Sequence, residues 1–247
     1  MQSHQRFRGT TSWLLLGLPG QDWSKVGPLL HREHLPARMY LERSGSRSSK
    51  VYFIEAGVIS NLETGDLRDP IEVGVIGREG LVGTSIVAEL TPQRDSVVQI
   101  EGQALVMECL QFQGCLLGSS SLRCYLFRYI QAQMVQMSLA ASAGVRANVQ
   151  QRLARKLLMY HDRMGTDDLP LTHENISLML GVRRASITNA LHNLEAEHLI
   201  RAQRGLITIR DRSGLEEYCG RFYGIAEDRY AEIMGDPAKG RRELRSG

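Results

Sequence analysis

The chain has 247 residues, a formal net charge of +3 and a hydrophobic fraction of 43%. That length leaves room for one or two domains, and that hydrophobic fraction excludes a disordered chain. No run of 18 apolar residues occurs, and the apolar segment 13–18 is too short for a membrane span and lacks a signal-peptide pattern. We therefore expect a cytoplasmic protein without a membrane partner, in which segment 13–18 packs on the first domain.

Residues 35–112 have the pattern of β-structure. Short apolar runs recur at 51–54, 58–62, 71–76, 97–100 and 104–109, and glycines separate them. Short strands at regular spacing, with turn residues between them, predict a barrel or a jelly roll. The spacing is not a strict repeat, so a solenoid is not predicted.

From about residue 116 the apolar period becomes that of a long helix. One stripe steps by three or four residues through Leu126, Ile130, Met134, Met137 and Ala141. A second stripe, formed by Leu122, Tyr125 and Tyr129, lies beside it. One stripe can pack on the helix's own domain while the other meets a second copy of the chain, which predicts a dimer helix. The alternative is a helix buried inside one monomer.

A further helix is predicted over 149–164, followed by a linker at 165–170. Thr172 can cap a short helix over 173–180, and Gly181 can end that helix in a left-handed conformation. A second helix follows over 184–197, and two β-runs at 199–201 and 206–209 flank a turn at 203–205. Helix, turn, helix and hairpin in this order predict a winged helix-turn-helix, whereas the helix pair alone also fits an ordinary bundle.

The second helix has outward positions whose chemistry suits base recognition. Arg184 can bond guanine with both arms, and Asn189 can do the same to adenine. Arg183, Ser186 and Thr172 are better placed for phosphates, and Arg201 and Arg204 add charge to the wing. The full set of predicted DNA contacts is Thr172, Arg183, Arg184, Ala185, Ser186, Thr188, Asn189, Arg201 and Arg204.

The charge distribution agrees with a nucleic-acid partner. Residues 146–212 contain 11 Lys or Arg and 7 Asp or Glu, a net charge of +4, which leaves −1 for the rest of the chain. A basic stretch of this kind is typical of a surface that meets a phosphate backbone, although a solvated face has the same composition.

Neither the cysteines nor the histidines predict an enzyme. The four cysteines lack the two-residue spacing of structural zinc or redox sites, and we interpret them as reduced, packed thiols, with an iron–sulfur or thiol sensor as the alternative. The seven histidines show no metal-ligand or triad spacing with a plausible nucleophile. No catalytic residue, metal or cofactor is therefore predicted.

Taken together, these features resemble the Crp/Fnr family of the cyclic-AMP receptor protein and the fumarate–nitrate regulator. The resemblance runs from about residue 13 to residue 212 and is carried by segments 51–57, 76–83 and 180–187 and by the long helix. It implies an α+β fold with four parts: a β-roll (jelly-roll, cyclic-nucleotide-binding-like) effector domain over 13–115, a dimerisation helix over 116–146, a winged helix-turn-helix over 147–212, and a C-terminal helix and basic tail over 213–247.

The chain departs from the family at the effector site. Cyclic-AMP binders carry Gly-Glu in the central turn and Arg-Ser further on, whereas here Arg78 follows Gly77, and Asp95 separates Arg94 from Ser96. Glu79 comes one place late, and a one-residue slip turns a side chain to the other face. Asp95 puts negative charge where the cyclic phosphate would lie, unless Arg78 or Arg94 compensates. The candidate effector pocket consists of Gly77, Arg78, Glu79, Gly80, Arg94 and Ser96.

Two further departures concern the iron–sulfur members and the operator. No cysteine precedes Cys109, so the N-terminal cluster of the iron–sulfur members is missing. Ala185 replaces a Glu common in the family and cannot accept a bond from cytosine, so the operator should differ from the cyclic-AMP one.

The sequence thus predicts a homodimeric, sequence-specific transcription regulator that binds double-stranded DNA, with RNA polymerase as a further candidate partner. The motif for cyclic AMP is not intact, and a small-molecule effector of unknown identity is expected at most. The alternative is a cyclic-nucleotide-sensing module that signals through protein contacts.

Overall fold

The computed structural model describes residues 9–63 and 70–235. The N-terminal part begins with two short helices and continues as a sheet: α1 (Trp13–Leu16), α2 (Gly20–Val26), β1 (His31–Leu35), β2 (Tyr40–Glu42), β3 (Lys50–Glu63), β4 (Ile71–Ile76), β5 (Leu81–Val82) and β6 (Asp95–Glu108). As expected, segment 13–18 packs on this part of the chain, with Leu14 and Leu15 fully buried. The basic tail predicted at the C-terminus lies outside the described residues from residue 236 onward.

Within the described residues the six strands form one antiparallel sheet in the order β1-β6-β3-β4, with β2 paired to β6 and β5 paired to β3. We call this sheet the β-roll. Four of the predicted apolar runs merge into two long strands, because two glycines allow each strand to bend without ending. Gly57 has a φ of +86°, and a Cβ atom on Gly102 would lie 1.9 Å from the Ala56 carbonyl oxygen. The predicted α+β class is confirmed.

Three helices follow: α3 (Cys109–Leu117), α4 (Ser120–Arg146) and α5 (Val149–Met164). Helix α4 starts four residues later than the predicted dimer helix, because the Ser119 side chain accepts a hydrogen bond from the Leu122 amide at 3.2 Å and caps it. Helix α5 has the predicted bounds and is opened by a capping box between Asn148 and Gln151.

One residue of the predicted dimer stripe was placed on the wrong face of α4. Leu126 is 1% exposed and lies in the core with Leu122 and Tyr129, whereas Phe127 is 57% exposed. Either residue fits a stripe of three- and four-residue steps, and packing against the β-roll buries Leu126 and leaves Phe127 exposed. Met134 and Ala141 are exposed, and Ile130 and Met137 are half-buried.

The C-terminal part contains β7 (Asp168–Leu169), α6 (His173–Leu180), α7 (Arg184–Ala196), β8 (Ile200–Gln203), β9 (Leu206–Ile209), α8 (Arg212–Cys219) and α9 (Ile225–Met234). The predicted linker at 165–170 contains β7, because Asp168 and Leu169 pair with Thr208 and Ile207 of β9. We call residues 168–209 the winged-helix unit. The amphipathic stretch that follows it is divided at Gly220, so that α8 packs on α5 and α9 packs on α4.

A single hydrophobic core joins the β-roll to the winged-helix unit. Val58, Val75 and Ile100 of the sheet belong to the same buried cluster as apolar residues of α5, α6, α7 and α8. The Lys156 ammonium on α5 forms an ion pair with Glu72 on β4, and both residues are 7% exposed. The Glu72 carboxylate also accepts hydrogen bonds from Ser60 and, at 2.9 Å, from the Tyr160 hydroxyl.

Burial lowers the pKa of Lys156, and the adjoining Glu72 carboxylate opposes that shift by favouring the charged ammonium. The pair therefore depends on both partners, since either charge left alone would be buried without compensation.

We expect Lys156→Met to lower the free energy of unfolding by about 3–5 kcal/mol, because it strands the Glu72 carboxylate in the core. Arg229→Met is the matched control, since it breaks an ion pair with Glu232 whose side chains are 57% and 61% exposed. The control should change the unfolding free energy by less than about 1 kcal/mol. Urea unfolding followed by circular dichroism measures both, and equal losses would contradict the role given to the buried pair.

Candidate nucleic-acid interface

Local hydrogen bonds fix where α6 begins and ends and how the turn to α7 is closed. The Thr172 hydroxyl accepts from the Asn175 amide at 3.1 Å, so α6 begins at His173 as predicted. Gly181 ends α6 with a φ of +60°, which favours glycine. The Ser177 hydroxyl then donates to the Val182 carbonyl oxygen at 2.5 Å and closes the turn.

Helix α7 separates its buried face from its outward face as the sequence predicts. Ile187, Ala190, Leu191 and Leu194 are buried, whereas Arg184, Ala185 and Asn189 are exposed. Arg183 is the N-cap residue of α7, and Arg184, Ala185 and Ser186 form its first turn. The first turn of a helix carries unpaired amide groups and the positive end of the helix dipole, so two arginines there make a surface suited to phosphates.

Thr188 differs from the other predicted contacts. It is half-buried, and its hydroxyl donates to the Arg184 carbonyl oxygen at 3.2 Å and lies 3.4 Å from His173 Nδ1. This hydroxyl is therefore engaged between α6 and α7.

The wing is a hairpin fixed to α7. Gly205 turns it with a φ of +78°, and Ile207 and Ile209 anchor it in the core. The Glu195 carboxylate on α7 accepts a hydrogen bond from the Ala202 amide at 2.7 Å, which ties β8 to α7. Arg201, Arg204 and Arg210 are exposed on and beside this hairpin.

The basic residues counted in the sequence divide into two groups. Arg155, Lys156 and Arg163 are buried on α5, and Arg212 forms ion pairs with Asp162 and Glu216. Arg152 is half-buried and donates to the Leu180 carbonyl oxygen. The exposed group comprises residues at the end of α4, at the start of α7 and on or beside the wing: Arg146, Arg183, Arg184, Arg201, Arg204 and Arg210. The exposed positive charge is thus smaller than the sequence count, and all of its residues except Arg146 lie on or beside the predicted DNA-reading elements.

The predicted effector residues are only partly brought together. The Gly77–Gly80 turn is closed by a 3.0 Å hydrogen bond from the Gly80 amide to the Gly77 carbonyl oxygen. The Glu79 carboxylate pairs with Arg163 on α5 at 2.6 Å. Arg94 instead donates to the Met137 sulfur at 3.0 Å, and Ser96 donates to Asn61 at 2.9 Å.

The C-terminal helix reaches this turn, which no sequence pattern indicated. The Tyr230 hydroxyl on α9 donates to the Glu79 carbonyl oxygen at 2.6 Å. A cavity of about 310 Å³ lies beside this contact and is lined by Glu79, Arg163 and Tyr230 among others. Arg94 and Ser96 do not line it.

Three of the four cysteines are partly or fully buried in the hydrophobic cores. Burial raises the pKa of Cys109 and Cys115, and it raises that of Cys219 to about 12, so these thiols stay protonated at neutral pH. Across residues 9–63 and 70–235, no group of three His, Cys, Asp or Glu is placed to hold a metal ion. In the same part of the chain no helix combines the length and apolar character that crossing a membrane requires.

Comparison with known proteins points to one family. The sequence model of the Crp-like helix-turn-helix domain matches residues 151–218. No curated protein sequence matches the chain at a significant level.

Solved structures show the same fold at low identity. A protein described as a Crp/Fnr-family transcriptional regulator from Eubacterium rectale superimposes with a TM-score of 0.66 at 18% identity, over 87% of this chain and 99% of its own. FixK2 from Bradyrhizobium japonicum gives 0.65 at 13% identity, over 76% and 96%. CLP from Xanthomonas campestris, described as a c-di-GMP-responsive global regulator, gives 0.61 at 17% identity, over 77% and 99%.

Three observations agree on the fold. They are the order of β-roll, long helix and winged helix, the helix-turn-helix with its closed turn, and the match to the family model. Residues 151–218 form a Crp-like helix-turn-helix domain, and the chain has the fold of the Crp/Fnr transcriptional regulators.

Proposed function

We propose that the protein is a homodimeric, sequence-specific transcription regulator that acts in the cytoplasm and binds double-stranded DNA through α7 and the wing. The observation that carries this proposal is the start of α7, where the N-cap residue Arg183 and the first helical residue Arg184 are exposed at the positive end of the helix. An exposed helix N-terminus with arginines is the arrangement by which this kind of motif enters the major groove.

We assign separate roles to the exposed side chains. Arg184 and Asn189 are placed to read base edges, because both side chains can form two hydrogen bonds with one purine. Arg183, Ser186, Thr172, Arg201 and Arg204 are placed for the phosphate backbone, which sets orientation and affinity without reading sequence. Ala185 offers no hydrogen-bond acceptor, so we expect no selection for cytosine through that position.

We expect Arg184→Ala to weaken binding to the preferred operator by about 1–3 kcal/mol and to relax the preference at one base pair, because a two-armed contact to guanine is lost. Selection of binding sites from a random DNA library, followed by anisotropy titration, measures both effects. Arg128→Ala, which removes an exposed arginine of α4, is the control and should leave the preference unchanged. An Arg184→Ala protein with the parental preference would contradict the base contact.

The dimer is supported by an exposed apolar stripe along α4. Phe127, Met134 and Ala141 are exposed and lie seven residues apart, and Ile130 and Met137 are half-buried between them. Apolar residues at alternating three- and four-residue steps form the seam of a two-stranded coiled coil. The opposite side of the helix is covered by the β-roll and by α9, so the stripe is the side left for a second copy of α4.

We expect Met134→Lys to shift the protein from dimer to monomer, because it places two like charges in the middle of the seam. Sedimentation velocity at micromolar concentration measures the shift. Arg128→Glu also changes charge on exposed α4 surface and is the control that should remain dimeric. If Met134→Lys sedimented as the parent does, the seam would not lie along this stripe.

The structure also bears on the expected absence of cyclic-AMP control. The Glu79 carboxylate is held by the Arg163 guanidinium and by the Gly77 amide at 3.2 Å, and Asp95 accepts from the Ser44 amide at 2.8 Å. The Glu79 carboxylate is therefore engaged within the protein, and the Arg94 guanidinium, the candidate cation, donates to the Met137 sulfur at 3.0 Å.

We expect isothermal titration with cyclic AMP at micromolar concentration to give no saturable heat, because binding would have to break the Glu79–Arg163 pair. A cyclic-AMP receptor protein titrated under the same conditions is the positive control. A saturable isotherm with one site per chain would show that the β-roll accepts the nucleotide despite these contacts.

A further inference from the structure

A second cavity, of about 180 Å³, lies between the end of α4, the middle of α5 and the segment that joins α8 to α9. Each of these three places contributes one arginine to its walls: Arg146 from α4, Arg155 from α5 and Arg221 from the turn before α9. The other described residues that line the cavity are uncharged: Leu139, Ser142, Phe222, Ile225 and Ala226. The described walls therefore carry positive charge and no carboxylate.

The most buried of the three guanidinium groups is that of Arg155, which is 6% exposed. Its Nε donates to the Phe222 carbonyl oxygen at 2.9 Å, and this bond fixes the group beside the cavity. The two Nη atoms form no hydrogen bond with the part of the chain that the structure describes, and neither is sealed from solvent. Because Arg155 lines the cavity, these two donors are open to a ligand there.

The charge of Arg155 also lacks a counterion among the described residues. Burial lowers the pKa of Arg155, whereas Glu227 and Glu72 raise it from a distance without forming an ion pair with it. An arginine stays protonated at neutral pH, so this burial leaves a charge whose desolvation is not offset. An anion in the cavity would supply the missing partner.

The other two arginines add to the attraction for an anion. Arg146 lies in the last turn of α4, and the Arg221 guanidinium carbon lies 5.4 Å from the centroid of the Phe222 ring. Both arginines are exposed, and neither forms an ion pair with another described residue. Three guanidinium groups at one cavity favour an anion that has more than one negative charge and several acceptor oxygens.

From this arrangement we infer that the cavity is a binding site for a phosphate group, either the free ion or a small monoester. A phosphate monoester has about −1.5 to −2 charges at pH 7 and three acceptor oxygens, whereas a carboxylate has one charge and two oxygens. The guanidinium fork matches the spacing of phosphate oxygens. The cavity is smaller than the roughly 300 Å³ of pockets for drug-sized ligands, so the organic part of an ester has to be small.

This inference goes beyond the proposed function and does not rest on it. None of the described residues that line the cavity belongs to α6, α7 or the wing. A bound phosphate would instead join the end of α4 to α5 and to the start of the C-terminal segment. Its binding is measured without DNA, so a failure to bind phosphate leaves the DNA proposal intact, and a failure to bind DNA does not affect the phosphate site.

Isothermal titration of the full chain in phosphate-free buffer tests the site with two probes that carry the same ring. Phenyl phosphate should bind saturably with one site per chain, and benzoate should bind at least about ten-fold more weakly, because it has less charge and fewer acceptor oxygens. Inorganic phosphate then identifies the source of the phosphate group. Tighter binding than phenyl phosphate supports the free ion, and weaker binding supports an ester.

Two variants and a matched control locate the site. Arg155→Met and Arg221→Met each remove one guanidinium and should weaken the binding of phenyl phosphate by about 10- to 100-fold, the value of a hydrogen bond to a charged group. Arg128→Met removes an exposed arginine elsewhere on α4 and should bind as the parent does. Thermal unfolding checks that each variant folds. Arg221 is exposed, so Arg221→Met still decides the question if Arg155→Met does not fold.

The inference is overturned if phenyl phosphate gives no saturable heat or if benzoate binds as tightly. It is also overturned if Arg221→Met binds phenyl phosphate as the parent does. Equal losses in Arg221→Met and Arg128→Met would overturn it as well, because they would show attraction to the overall charge of the protein and no particular site.

Discussion

Helix α5 carries charged side chains into the space between the β-roll and the winged-helix unit, and the rest of the structure is arranged around them. Lys156 meets Glu72 of β4, and Arg163 meets Glu79 of the central turn. Removing such groups from water is costly, and the cost is offset only while each keeps its partner. The helix therefore has one favourable position on the sheet, and the shared core with Val58, Val75 and Ile100 forms around that position.

Elements whose ends are encoded locally could be predicted from the sequence. Helices α5 and α6 have the predicted bounds because Asn148, Thr172 and Gly181 act within a few residues of the ends they define. The exposure of Arg183 and Arg184 follows in the same way from the period of α7. These features need no knowledge of distant parts of the chain.

Features that depend on distant partners could not be predicted. Leu126 and Phe127 fit the same periodicity, and only the β-roll selects which of them is buried. Arg155, Lys156 and Arg163 look like surface charge in the sequence and are interior in the fold. The effector residues are grouped by resemblance, yet Arg94 and Ser96 contact Met137 and Asn61, whereas Glu79 pairs with Arg163 of α5. These partners lie far away in the sequence, so no local pattern indicates them.

The bond between Tyr230 and Glu79 spans 151 residues of chain. A ribosome adds roughly 5–20 residues per second, so the central turn leaves it many seconds before α9 does. During that interval the β-roll and α4 can fold, but the cavity beside Glu79 lacks its last wall. The wall is completed only when the final helix docks, so a chain that ends before residue 225 would fold its sheet and keep that cavity open to water.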